Sequence, residues 1–285
     1  MGIFSDVLFT SDFDHTISDK HNRVNPINVE AIRYFMDNGG LFCLNSGRSV
    51  PLLRCRLGEI PVNAPCLCYN GAGCYDFQEE KMLWAHALPD STEELIEKVR
   101  TMDLPLCMEI QGVQTHYEIG EQMPSRLRFL REEGFEPVFD ADTIPKPWMK
   151  LVVCGATGEH ALEDVSEIPP EELKRFSELE KEIRAFCGDR YFVTRSMPRL
   201  LEISNPGCDK GRAARDLAKM LGRSVLVCAG DAPNDERMLR EGDYAFCPTD
   251  AEKLVLDLPG IRKTVPSHDG CIATAVKQME QILKK

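Results

Sequence analysis

The stretch Leu8-Phe9-Thr10-Ser11-Asp12-Phe13-Asp14-His15-Thr16-Ile17 is a short apolar run that ends in two carboxylates one residue apart. Side chains at i and i+2 of a strand point to one face, so a strand persisting through Asp14 brings Asp12 and Asp14 together at its end. Like charges that close raise each other's pKa unless a cation lies between them. A hard divalent ion such as Mg²⁺, which takes oxygen ligands and retains water, meets that need. With the ion bound, one carboxylate stays an ionised nucleophile and the other, held off the metal, can carry a proton. Nucleophile plus acid is the minimum apparatus of phosphoryl transfer. D-x-D also arises by chance in acidic loops, so the reading depends on what the rest of the chain adds.

Outward from this strand the pattern alternates. Asn25-Pro26 reads as a helix start, with Val29, Ile32, Phe35 and Met36 on one face up to Gly39-Gly40. Leu41 to Leu44 is a continuous apolar strand of the kind buried on both faces of a parallel sheet. It runs into Asn45-Ser46-Gly47-Arg48 and a helical pattern at Leu52, Leu53 and Leu57. A phosphate oxygen suits the Ser46 hydroxyl and the backbone N–H groups at such a helix start, although Ser46 serves equally as a plain N-cap. Leu67 to Tyr69 is a third strand, turning at Asn70-Gly71 into a hairpin over 73–77 and 82–84.

From about Pro89 the order changes to a helix at Ser91, strands at 106–112 and 115–119, a helix around Leu127 to Leu130, a strand at 149–154, an acidic loop at 157–172, a helix to Phe186, and strands at 191–194 and 199–203. We read 86–192 as an inserted α+β cap domain and 1–85 with 193–285 as the core. The last third returns to strict β/α alternation: a helix after Cys208-Asp209-Lys210-Gly211, a strand at 224–229 ending in Gly230-Asp231-Ala232-Pro233-Asn234-Asp235, a strand at 244–247, a helix at 251–258, a short strand at Thr264-Val265 and a terminal helix. The predicted fold is α/β, a doubly wound, mostly parallel Rossmann-like sheet. Ligands in such sheets lie beyond the carboxyl ends of the strands, where Asp12, Ser46, Asn70 and Asp231 all fall.

Composition narrows the partners. The formal charge of −12, from 46 acidic and 34 basic residues with no basic block, argues against nucleic acid and anionic membranes. An anionic substrate then needs local positive charge from a metal, a Lys or a helix N-terminus. The 12 Cys are scattered without a C-x-x-C pair, and the N-terminus resembles neither a signal peptide nor a myristoylation site. Reduced thiols in a cytoplasmic monomer or homodimer are therefore expected.

Asp12-Phe13-Asp14-His15-Thr16, Ser46-Gly47-Arg48, Lys210-Gly211 and Gly230-Asp231-x-x-Asn234-Asp235 are similar, in order and spacing, to the four motifs of the haloacid dehalogenase superfamily of phosphohydrolases. The inserted domain, the Tyr69-Asn70-Gly71-Ala72 turn and the closing Asp269-Gly270 resemble its Cof-type (IIB) sugar-phosphatase branch. The resemblance implies that Asp12 forms an aspartyl-phosphate and that Asp14 protonates the leaving oxygen, then activates water. It implies that Thr16, Ser46, Gly47, Asn70 and Lys210 surround the phosphoryl group, Thr16 by orienting the loop. Mg²⁺ is expected on the Asp12 carboxylate, the Asp14 carbonyl and Asp231, with Asn234 and Asp235 in support.

The chain departs from the pattern at His15, where most relatives have Gly, and this side chain is expected to point away from the site. Asn45 is unusually polar for a buried strand and has no sequence explanation beyond capping the strand end. In the cap, Glu109, Gln111, His116 and Arg195 are the candidates for substrate contacts. The expected activity is Mg²⁺-dependent hydrolysis of a small phosphorylated metabolite, with a sugar phosphate as the expected substrate. A phosphomutase of the same branch is the alternative, and a non-catalytic sugar-phosphate sensor is disfavoured because Asp12, Asp14, Asp231 and Asp235 are all present.

Overall fold

A computed structural model describes residues 2–139, 141–155 and 168–285. The chain divides into two compact units, one of Met1–Arg48, Arg56–Trp84 and Asp209–Lys285, the other of Ser49–Cys55 and Ala85–Cys208.

The first unit holds the α/β sheet. β1 (Val7–Ser11), entirely buried, leads to α1 (Pro26–Asp37) and β2 (Leu41–Leu44). α2 (Val50–Arg54), which belongs to the second unit, follows, and then β3 (Cys66–Cys68), β4 (Gly73–Asp76) and β5 (Lys81–Ala85) form a small sheet of their own. Asn25 caps α1 as the sequence indicates, its side chain accepting from the Ile27 N–H at 3.0 Å, with Pro26 in the first turn where no N–H is needed.

The second unit contains α3 (Thr92–Arg100), β6 (Leu106–Gln111), β7 (His116–Gly120), α4 (Pro124–Glu132), β8 (Val138–Phe139), β9 (Lys150–Gly155), α5 (Pro170–Cys187), β10 (Phe192–Met197) and β11 (Leu200–Ser204). Its six strands run in the order β10-β11-β9-β6-β7-β8. One face, with Met108, Ile110, Leu151, Val153, Leu201 and Ile203, packs on Leu95, Ile96 and Val99 of α3 and Phe176, Leu179 and Ile183 of α5. By alternation the opposite face carries Glu109, Gln111, His116, Lys150 and Glu202.

The expected cap boundary at 192/193 is corrected here. β10 and β11 hydrogen-bond into this sheet, β11 directly to β9, so the second unit extends to Cys208. Periodicity shows a strand's existence but not its partner. Ser91 is also not an N-cap acceptor for α3; its hydroxyl lies 2.8 Å from that of Tyr191. The acidic loop expected at 157–172 lies, over 157–167, outside the described residues, and α5 already begins at Pro170.

The chain returns to the first unit with α6 (Lys210–Met220), β12 (Val225–Ala229), α7 (Glu236–Glu241), β13 (Tyr244–Cys247), α8 (Lys253–Leu256), β14 (Arg262–Lys263) and α9 (Cys271–Leu283). The sheet order is β14-β13-β12-β1-β2, every pair parallel. From β1 the chain goes first to one neighbour, β2, and later to the other side, β12, so the order reverses at β1 and a crevice opens beyond its carboxyl end. The register puts Ser11 beside Leu44 and Ala229, which brings the segments after all three strands to one level. The last strand pairs two residues earlier than the expected Thr264-Val265; Thr264 instead bonds the Cys247 carbonyl. The 12 cysteines are free thiols, all buried except Cys55. Among the described residues no helix is long and apolar enough to cross a membrane.

Candidate active site

The segment after β1 places Asp12 where the strand ladder ends, its N–H still bonded to the Ala229 carbonyl at 2.9 Å. Lys210, the first residue of α6, is fully buried and joins Asp12 to Asp235: Nζ lies 2.6 Å from Asp12 Oδ1 and 2.7 Å from Asp235 Oδ1. The other oxygen of Asp235 accepts the N–H groups of Asp231 and Ala232 at 3.0 and 3.1 Å, shaping the loop after β12. Gly230 permits this close turn, since a Cβ there would stand 2.6 Å from the Asp235 Cβ. The Thr16 hydroxyl donates to Asp231 Oδ1 at 2.7 Å, so it orients that carboxylate and is not directed at a phosphoryl group.

Oxygens of Asp12, Asp231 and Asp235 all lie within 4.8 Å of one another. Burial pushes the Asp12 carboxyl well up, Lys210 pulls it back, and Asp235, Asp231 and Asp14 add repulsion. Asp231 is pushed up to about 7 by burial and by Asp235, against the bond from Thr16. Burial disfavours the Lys210 charge, but Asp12 and Asp235 outweigh it and hold the ammonium firmly protonated. Three hard oxygen donors, two of them already on the Lys210 ammonium, that still repel each other suit a further small divalent ion such as Mg²⁺.

The Asp14 side chain lies outside that trio. Arg48 grips it with two bonds, Nε to Oδ2 at 2.9 Å and Nη2 to Oδ1 at 2.7 Å. Burial acts to raise the Asp14 pKa, yet the Arg48 charge and bonds prevail and lower it. Arg48 also lies over the Phe13 ring at 4.8 Å from its centroid, and its N–H donates to the Ser46 hydroxyl at 3.1 Å. Arg48 belongs to the Ser46-Gly47-Arg48 motif, which assigns it no role. The only signal was its position directly after Ser46-Gly47.

Ser46 and Asn70 meet through the Asn70 N–H and the Ser46 carbonyl at 3.1 Å. Asn70 has a left-handed backbone, φ 57°, a conformation Asn tolerates better than most residues. Gly47 is packed against it: a Cβ at 47 would be 2.9 Å from Asn70 Oδ1. Asn234, exposed, reaches Asn70 Oδ1 only at 3.5 Å. Asn45 now has a physical role, because its amide donates to the Lys210 carbonyl at 3.0 Å and anchors the first turn of α6 behind Asp12.

His15 is exposed, adopts φ 56°, and with Lys20, His21, His268 and Asp231 lines a cleft of about 640 Å³. That cleft is lined by Asp231 but not by Asp12, Ser46 or Lys210. The left-handed backbone accounts for the Gly expected at this position.

Of the cap candidates, Glu109, Gln111 and His116 join one buried network. Arg195 is committed elsewhere, bonding Ser177 and Glu180 of α5 at 3.0 and 3.1 Å and lying over Phe176.

The model of the haloacid dehalogenase-like hydrolases matches residues 9–259. The HMP-PP phosphatase of Klebsiella pneumoniae is 24% identical over 260 residues, covering 90% of this chain and 89% of that protein. A haloacid dehalogenase-like hydrolase from Bacteroides thetaiotaomicron superposes with a TM-score of 0.81 at 19% identity, over 95% of this chain and 98% of that one. A sugar phosphatase of HAD subclass IIB does so with a TM-score of 0.74 at 16% identity, over 96% and 98%. These two likenesses concern the fold, whereas the match of the family model spans all four motif segments, and on that ground the chain belongs to the haloacid dehalogenase-like hydrolases.

Proposed function

We propose that this protein is a Mg²⁺-dependent phosphatase that hydrolyses a small phosphorylated metabolite through an aspartyl-phosphate on Asp12. The observation that supports it most is the convergence of Asp12 with Asp231 and Asp235, more than two hundred residues later in the chain, with the Lys210 ammonium joining Asp12 to Asp235. The names of a phosphatase relative and of a structurally similar sugar phosphatase agree in reaction class.

Asp12 and Asp231, with Asp235 in support, are the side chains that would hold Mg²⁺. When bound, the ion neutralises charge on the transferring phosphoryl group. Lys210 holds Asp12 in place and adds positive charge beside the attacked phosphorus. An Asp12 carboxylate oxygen forms a bond to phosphorus as the ester P–O bond breaks, and Asp14, which must release one Arg48 bond to carry a proton against the pull of that charge, gives the proton to the departing oxygen. Ionised Asp14 then takes a proton from water, whose oxygen attacks the phosphorus of the acyl phosphate. Inorganic phosphate leaves and the Asp12 carboxylate is restored. Ser46 and Asn70 supply polar groups for the equatorial phosphoryl oxygens.

The test is hydrolysis of p-nitrophenyl phosphate and of a panel of sugar monophosphates by purified protein. Turnover that EDTA abolishes and Mg²⁺ restores is expected. No turnover with any ester in the presence of Mg²⁺ contradicts the proposal.

A further inference from the structure

Asn45 directly follows the apolar strand β2, Leu41 to Leu44, and is completely buried. Its backbone N–H donates to the Ser11 carbonyl at 2.8 Å, one residue before Asp12. Its side-chain nitrogen lies 3.0 Å from the carbonyl oxygen of Lys210, the first residue of α6, and 3.3 Å from Met238 Sδ in α7, the helix that Asp235 directly precedes. One residue of the first unit therefore touches the three segments of that unit that carry Asp12, Lys210 and Asp235.

Chemistry fixes which way the amide points. A carbonyl and a thioether only accept, so the atom facing both is the NH₂ group, with one proton for each, and Oδ1 faces the other way. Among the described residues Oδ1 has no hydrogen-bond partner, although it is buried. An unpaired buried acceptor is destabilising, and an apolar side chain continuing the pattern of Leu41 to Leu44 would avoid that cost. Stability alone therefore does not account for an amide at this position.

Its two directional contacts do. The Lys210 ammonium reaches Asp12 Oδ1 at 2.6 Å and Asp235 Oδ1 at 2.7 Å. Both contacts are as short as charge-assisted bonds become, and they hold together only while the end of β1, the start of α6 and the start of α7 keep their spacing. Asn45 is bonded to the first through its backbone and to the other two through its side chain.

We propose that Asn45 is a positioning residue that sets the spacing of these three segments and so keeps the Lys210 ammonium on the Asp12 carboxylate. The inference rests on the phosphatase reading for its effect on turnover, and on geometry alone for its effect on Lys210.

The test combines kinetics with a readout that needs no activity. Asn45→Ala is expected to lower kcat for p-nitrophenyl phosphate about 10- to 100-fold, the cost of a small misplacement beside the reacting groups, with KM changed less than about twofold. In proton–nitrogen NMR spectra the buried Lys210 ammonium signal, identified by its loss in Lys210→Met, is expected to shift and broaden in Asn45→Ala. The control is Asn63, which ties the opposite end of β2 by accepting the Phe42 N–H at 2.7 Å and donating to the Gly40 carbonyl at 3.0 Å. Asn63→Ala is expected to leave kcat and the Lys210 signal as they are. A Lys210 signal or a kcat unchanged in Asn45→Ala, or the same changes in Asn63→Ala, overturns the proposal. If Asn45→Ala does not fold, Asn45→Val, which fills the space with apolar atoms, decides by the same criteria. Absence of turnover in the unaltered protein strikes the phosphatase reading, and the Lys210 signal then still decides the positioning role.

Discussion

The Arg48 guanidinium holds the Asp14 carboxylate in a two-point grip, 2.9 Å through Nε and 2.7 Å through Nη2, while Asp12, two residues earlier, is held by Lys210 at 2.6 Å. Two carboxylates that leave the same strand end are thus separated by their cations. In the proposed mechanism the one on Lys210 attacks phosphorus and the one on Arg48 transfers the proton.

Removing the guanidinium frees Asp14 to turn. Arg48→Ala is expected to lower kcat by about 10- to 100-fold, part of the ~10²–10⁴ that positioned acid–base groups contribute. Arg48→Lys restores little, because a single ammonium does not reproduce a planar two-point contact. Steady-state kinetics with p-nitrophenyl phosphate checks both variants, and an unimpaired kcat in Arg48→Ala denies Arg48 any part in turnover.

Lys210 has a structural consequence apart from catalysis. Lys210→Met leaves Asp12 and Asp235 buried without their shared cation, and breaking such a pair costs roughly 3–5 kcal/mol. Urea unfolding without divalent ions is expected to show a loss of that order. Added Mg²⁺ is expected to recover part of it, since a ligand that binds only the native state stabilises it. A stability equal to that of the unaltered protein rules out the buried trio as described.

The hydroxyl of Thr16 acts on Asp231. Thr16→Val keeps the shape of the side chain and removes the bond. The Mg²⁺ concentration giving half-maximal activity is expected to rise about 10- to 100-fold, the usual effect of losing a partner that orients a metal ligand. An unchanged Mg²⁺ requirement means that Asp231 is oriented by other groups.

In the second unit, burial and the Glu109 charge push Glu118 up to about 8. Between about pH 4.5 and 8 the native state therefore keeps a proton that the unfolded chain has released, so stability falls as pH rises through that window. Glu118→Gln is expected to remove this fall and to exceed the unaltered protein in stability at pH 8. Denaturant midpoints measured at pH 5 and pH 8 test it, and parallel pH dependence in the two proteins contradicts it.

How much of this was legible in the sequence follows from what each residue depends on. The parallel sheet was legible because continuous apolar runs such as Leu41 to Leu44 have few alternatives between helical stretches. Asp12, Ser46, Asn70 and Asp231 were legible because each lies within two residues of a strand's carboxyl end. The partners were not. Nothing local shows that Thr16 turns to Asp231, that Asn45 holds the α6 backbone, or that Arg48 grips the Asp14 carboxylate, since each depends on a contact across tens to hundreds of residues. The second unit's edge was misplaced for the same reason: β10 and β11 read correctly as strands, but only pairing shows to which sheet they belong.

The central claim is that Asp12 itself receives the phosphoryl group. Protein mixed briefly with a phosphate ester and Mg²⁺, quenched in acid and digested, should yield by mass spectrometry an Asp12-containing peptide heavier by one phosphoryl group. That label should vanish on treatment with hydroxylamine and be missing from Asp12→Asn. Ester hydrolysis that persists in Asp12→Asn, or a phosphoryl group found on another residue, contradicts the account.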